Sequence, residues 1–153
     1  SRLVDALLDE PVGSITVMDL SEAALGLARQ RLGERAREVT WLVGDITKVS
    51  LPAQAYDLWH DRAVFHFMTT PESRQAYLQR LQHALRPGGH VVMSTFAEDG
   101  PERCSGLPVQ RYSRQELMHA LGPRFVLLAH ERELHTTPSG AQQAFNHALL
   151  RFA

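Results

Sequence analysis

The chain has 153 residues, 44% of them hydrophobic and 22% charged, and its 16 Lys and Arg stand against 17 Asp and Glu for a net charge of −1. That length suits one domain with a real core, and the balanced charge argues against a nucleic-acid footprint. No apolar run reaches the roughly 18 residues of a bilayer span, no signal-peptide pattern opens the chain, and the single Cys104 has no internal disulfide partner, so a cytoplasmic protein without membrane contact is expected.

Residues 2–10 place Leu3, Val4, Leu7 and Leu8 on one face of a short amphipathic helix, ended by Pro11 and Gly13. Ile15, Thr16, Val17 and Met18 then form a β-branched run of the kind found in a parallel strand covered on both faces, with Asp19 at its carboxyl end. Ser21 offers an N-cap for a helix that the spacing of Leu25, Ala28 and Leu32 carries to about Ala36. In doubly wound α/β folds ligands bind beyond the carboxyl ends of the strands, where an acid after the second strand holds the ribose hydroxyls of a nucleotide-like cofactor. Asp19 is therefore the first site candidate, with a plain turn or capping residue as the competing reading.

A second strand spans 39–43 and closes on Gly44-Asp45; after a loop at 52–55, Tyr56 to Trp59 begins a third. Pro71 and Glu72 open a helix over 73–85, carried by Ala76, Tyr77, Leu81, Ala84 and Leu85 and stopped at Arg86-Pro87-Gly88-Gly89. A fourth strand covers 91–96, and the Gly-, Pro- and charge-rich stretch 97–109 reads as a lid or an irregular connection. Ser113 with Glu116 forms a capping box for a helix reaching Leu121, which Gly122-Pro123 terminates. Strands over 125–135 and 144–152, joined by Thr137-Pro138-Ser139-Gly140, predict a closing antiparallel hairpin. The alternation of strands and helices predicts an α/β fold with a doubly wound, mostly parallel sheet.

Asp19, Gly44-Asp45-Ile46, Tyr56-Asp57-Leu58-Trp59 and Leu85-Arg86-Pro87-Gly88-Gly89-His90-Val91 stand in an order and spacing that resembles the class I S-adenosylmethionine-dependent methyltransferases, over nearly the whole chain. The resemblance implies a Rossmann-like fold and S-adenosylmethionine as cofactor, with Asp19 and Leu20 at the ribose and Asp45, between Gly44 and Ile46, at the adenine amino group. A carboxylate can accept two hydrogen bonds from a diol or one from an exocyclic amine, so the assigned roles are chemically sound. It also implies that the first, central strand and its glycine-rich turn are missing. Such a turn falls about 20 residues before the ribose acid, and counting back from Asp19 reaches Ser1. The expectation is one methyltransferase-like domain over 1–153, N-terminally incomplete, whose strands at Ile15 and Tyr56 keep unpaired edges that favour homo-oligomers. A natural protein longer than this chain is the favoured explanation; a fold that closes over the gap, or a second chain that supplies the pairing, are the others.

Methyl transfer from a sulfonium is a direct displacement, so the protein must chiefly align acceptor and methyl group, and a base is needed only for an acceptor proton of high pKa. His60, Asp61, Arg62 and His66 gather after Tyr56, and Trp59-His60-Asp61-Arg62-Ala63-Val64 resembles the WDRG-like stretch of thiopurine-type methyltransferases. Asp61 is expected to contact acceptor or cofactor, and His60 is the candidate general base. The competing readings are ordinary histidines at His60 and His66 and a structural ion pair at Asp61-Arg62. The stretch lacks an Asn-Pro-Pro-aromatic or Asp-Pro-Pro-aromatic sequence, so a small molecule or a protein side chain is favoured over nucleic acid as acceptor. His60 and His66 lack zinc spacing, and no metal is expected. The alternative function is a truncated, non-catalytic binding or oligomerising module; a nicotinamide-dependent Rossmann enzyme is disfavoured.

Overall fold

In a computed structural model that describes residues 2–153, the chain divides after Val49 into two units. The first contains α1 (Leu3–Leu8), β1 (Ile15–Asp19), α2 (Glu22–Leu32) and β2 (Val39–Val43). β1 and β2 pair in parallel, Ile15 opposite Val39 and Asp19 opposite Val43, with α2 as the crossover between them. Val4, Leu32 and Val39 form the buried centre of this unit, and Leu8, Ile15, Val17 and Trp41 pack against it. Ile15 and Val17 of the β-branched run are half-buried against this centre, and Thr16 and Met18 on the other face are half-buried too. The Ser21 hydroxyl accepts the Ala24 amide at 3.1 Å, as its capping role predicts. α2 stops at Leu32, short of Ala36, because Gly33 takes a φ of 60° and residues 33–38 wind on as a 3-10 helix.

The second unit contains β3 (Tyr56–Arg62), α3 (Pro71–Ala84), β4 (Leu85–Phe96), β5 (Arg103–Cys104), β6 (Leu107–Pro108), α4 (Arg114–Leu121), β7 (Phe125–Thr136) and β8 (Gln142–Phe152). Four of these strands form a sheet in the order β3-β4-β8-β7, parallel between β3 and β4 and antiparallel across the closing hairpin. Tyr77, Leu81 and Ala84 of α3 and Leu117 and Leu121 of α4 are buried, as are Val91, Met93 and Leu150 of the sheet. Thr70 and Ser73 cap α3 with a reciprocal box, and Ser113 and Glu116 do the same for α4.

Two further elements differ from the sequence reading. β4 begins at Leu85 rather than Val91, because the chain runs through Arg86-Gly89 in extended form beside β3, with a register shift between Tyr56 and Leu58. A Cβ on Gly89 would lie 2.8 Å from the Arg86 carbonyl oxygen and 3.0 Å from that of Asp57, so glycine is what lets the two strands meet there. The stretch 97–109 carries the small β5–β6 hairpin, turned at Ser105 (φ 52°) and Gly106 (φ 79°), the positive-φ pair that such a tight turn requires. Among the described residues β1 pairs with β2 and β3 with β4. The architecture is α/β, with a βαβ unit in each half of the chain.

Candidate functional site

In the first unit the carboxyl ends of two neighbouring parallel strands carry Asp19 and Gly44-Asp45. The two ends are tied to each other, the Gly44 amide donating to the Asp19 carbonyl at 3.0 Å. Asp19 is exposed, and its Oδ1 accepts the Ser21 amide at 2.8 Å, which turns the chain into α2. Oδ1 of the half-buried Asp45 accepts the amide and the hydroxyl of Thr47 at 2.8 and 2.7 Å. Oδ1 of each carboxylate is thus engaged in a local turn at the strand end. Leu20 is 73% exposed beside Asp19, whereas Ile46 is turned into the interior at 5%. Gly44 meets no backbone that would demand glycine; the nearest atom to a Cβ there is Val49 Cγ2 at 3.9 Å.

In the second unit the candidates lie at the carboxyl end of β3. Strand alternation puts His60 and Arg62 on one face and Asp61 on the other. His60 is exposed, and partial desolvation on the strand together with the charge of Arg62 shifts its pKa downward. Asp61 is 4% exposed and makes its contacts inward. Its Oδ1 accepts the Val64 amide at 2.8 Å, and its Oδ2 accepts the Phe65 amide at 3.0 Å together with the Tyr77 hydroxyl. Tyr77 in turn accepts the indole N–H of Trp59 at 3.0 Å. Burial outweighs these three donors and pushes the Asp61 carboxyl up to about 6, while the same burial and the Asp61 charge hold the Tyr77 phenol well above its usual value. No salt bridge joins Asp61 to Arg62 among the described residues, so the ion-pair reading is corrected: the two side chains leave opposite faces of the strand, Asp61 buried and Arg62 exposed.

Asp61 pins the first residues of a 3-10 turn, Phe65–Phe67, that carries His66. His66 is fully buried; its Nδ1 accepts the Phe96 amide at 3.2 Å, and burial lowers its pKa to about 4. Tyr77 is the residue that sequence reasoning passed over, since it counted only as an apolar position of α3. The available signal was chemical: a tyrosine on the core face of a helix needs a partner for its hydroxyl. Among the described residues no group of three or more His, Cys, Asp or Glu is arranged to hold a metal ion, and no helix is long and apolar enough to cross a membrane.

Parallel βαβ units with acids at their strand ends define a Rossmann-like nucleotide-binding class. The family model described as "Methyltransferase domain" matches residues 1–89, and the chain belongs to this family, the class I S-adenosylmethionine-dependent methyltransferases. An uncharacterized chloroplastic methyltransferase of Arabidopsis thaliana is 37% identical over 90 residues, 59% of this chain and 23% of that protein. Malonyl-[acyl-carrier protein] O-methyltransferase 2 of Ilyobacter polytropus is 27% identical over 89 residues, 58% of this chain and 32% of that protein. The match thus spans 23% and 32% of the lengths of these two curated relatives. Among solved structures, the Burkholderia thailandensis 1,6-didemethyltoxoflavin-N1-methyltransferase, with 1,6-didemethyltoxoflavin and S-adenosylhomocysteine bound, superposes with a TM-score of 0.73 at 23% identity, covering 100% of this chain and 67% of that one. A likeness at that identity establishes the fold.

Proposed function

We propose that this chain is part of an S-adenosylmethionine-dependent methyltransferase acting on a small molecule, with a protein side chain as the other acceptor class. Asp19 takes the ribose diol and Asp45 the adenine amino group, with Leu20, Gly44 and Ile46 shaping that end of the site. The supporting observation is the placement of two acids at adjoining carboxyl ends of one parallel strand pair, each steered by a local turn. The methyltransferase of Burkholderia thailandensis, solved with a small heteroaromatic compound and S-adenosylhomocysteine, supports both the acceptor class and the cofactor. The bound cofactor supplies an electrophilic methyl group; what the protein adds is alignment.

His60 serves as general base where the acceptor carries a proton, because a neutral imidazole with a lowered pKa has a lone pair to offer. Asp61 is a positioning residue that fixes the turn after β3 through the Val64 and Phe65 amides. A cytoplasmic location and self-association through the free edges of β1 and β3 complete the reading. The test is calorimetric titration of S-adenosylhomocysteine into the chain and its Asp19→Ala and Asp45→Ala variants. Loss of charge-assisted hydrogen bonds of roughly 1.5–3 kcal/mol predicts at least a tenfold weakening in each variant. Variants that bind as the parent does refute the assignment.

A further inference from the structure

The segment between β4 and α4 is tied down at both ends and hardly at all between them. On the way out, Arg132 holds Asp99 at 2.6 Å and Glu98 at 3.2 Å, and Gly100 runs so close to β8 that a Cβ there would lie 2.8 Å from the Ala144 carbonyl oxygen. On the way back, the Gln110 amide donates to the His66 carbonyl at 2.7 Å and the Tyr112 amide to the Phe96 carbonyl at 3.0 Å. Residues 101–109 lie between these anchors, and their hydrogen bonds close on themselves. Arg103 and Cys104 pair with Pro108 and Leu107, the Val109 amide donates to the Glu102 carbonyl at 3.1 Å, and the Arg103 guanidinium donates to the Gly106 carbonyl at 3.0 Å. Among the described residues a single polar contact joins this hairpin to the rest of the chain, the ion pair of Glu102 with Arg111 at 3.6 Å.

We propose that the β5–β6 hairpin, residues 101–109, is a lid that swings as one body, hinged at Gly100 and Gln110 and latched by Glu102 and Arg111. Glu102 and Val109 of the hairpin line a cavity of about 470 Å³ together with Glu98, Gln110, Arg111 and Glu116, so a swing of the hairpin changes the width of this space. The lid rises from the segment that leaves the carboxyl end of β4, and in open α/β sheets ligands enter at the carboxyl ends of parallel strands. With Glu102 82% and Arg111 35% exposed, water and salt compete for the pair, and the latch favours the closed form only about two- to fivefold. This motion goes beyond the methyl-transfer reading and does not depend on it.

The test uses the single Cys104, half-buried on this largely exposed hairpin, as reporter. The rate of its reaction with the neutral reagent N-ethylmaleimide is measured in the full chain, in Glu102→Gln, in Arg111→Gln and in the double variant. Release of the latch should raise the rate about two- to fivefold in each single variant and no further in the double one. A direct effect of charge on the thiol would instead move the two single variants in opposite directions. Salt at 1 M, where the Debye length is about 3 Å, should bring the parent rate up to that of the variants and leave theirs level. Equal rates in parent and variants, opposite shifts in the two single variants, or a parent indifferent to salt overturns the proposal. Hydrogen exchange at the Val109 amide, which is bonded to the Glu102 carbonyl, separates a swing from unravelling. Protection that Glu102→Gln leaves unchanged supports a lid moving as one body, and exchange that quickens along with the thiol reaction overturns it. If a variant does not fold, the salt response of thiol and amide in the parent chain decides.

Discussion

Replacing Tyr77 with Phe deletes one hydroxyl and leaves two groups without it. The hydroxyl donates to Asp61 Oδ2 and accepts the Trp59 indole N–H, and both Tyr77 and Asp61 are buried. A hydrogen bond to a charged group contributes about 1.5–3 kcal/mol and a stranded indole N–H costs about 1 kcal/mol, so Tyr77→Phe should destabilise the chain by about 3 kcal/mol at pH 8. The loss should shrink in acid. Asp61 has its carboxyl raised from 3.8 to about 6, so the folded chain holds this proton more tightly than the unfolded chain does. Its contribution to stability is therefore largest below about pH 4, falls as pH rises to about 6 and is level above that, a span of about 3 kcal/mol. Near pH 5 the carboxyl is mostly protonated, so the lost bond is a neutral one of about 1 kcal/mol, and with the stranded indole the loss should fall to about 2 kcal/mol. Urea unfolding of parent and variant at both pH values measures the difference, and the comparison cancels the surface carboxylates common to the two. A loss below about 1 kcal/mol at pH 8, or the same loss at both pH values, would refute the account of this buried network.

Gly89→Ala should cost about 1–3 kcal/mol, because its Cβ would stand 2.8 Å from one carbonyl oxygen and 3.0 Å from another; a melting temperature equal to the parent's would contradict the close strand approach. Arg62→Ala should raise the His60 pKa toward its usual value while leaving it lowered, since burial is the larger cause; NMR titration that finds no movement would remove Arg62 from the account. Sedimentation of the isolated chain should show concentration-dependent association through the edges of β1 and β3, and a monomer at every concentration would count against unpaired edges.

What was legible in the sequence was set by neighbours along the chain. The β-branched run at Ile15, the strand at Val39–Val43 and the Ser113 capping box depend on residues within a few positions, and each forms where the pattern puts it. The end of α2 was misread because apolar spacing continues through Ala36, while Gly33 changes the backbone before the spacing does. Thr70 caps α3 just before Pro71, and its role depends on the hydroxyl of Ser73 three residues on rather than on the proline and acid that mark the first turn. The Asp61 network was hidden for a different reason. Tyr77 lies 16 residues from Asp61, and only the docking of α3 against the sheet brings its hydroxyl to the carboxylate. An aspartate that reads in sequence as a contact to acceptor or cofactor is, once that helix packs, buried and bonded to the turn after β3. The two acids of the first unit were easier to find, because strand, acid and turn follow one another directly.

The ribose assignment is tested most directly by a double cycle in which S-adenosylhomocysteine and its 2′,3′-dideoxy analogue are each titrated into the chain and its Asp19→Ala variant. If Asp19 holds the diol, deleting the hydroxyls weakens binding about tenfold or more in the parent and hardly at all in the variant. Equal weakening in both would mean that the carboxylate and the sugar do not meet, and the assignment of Asp19 would fall.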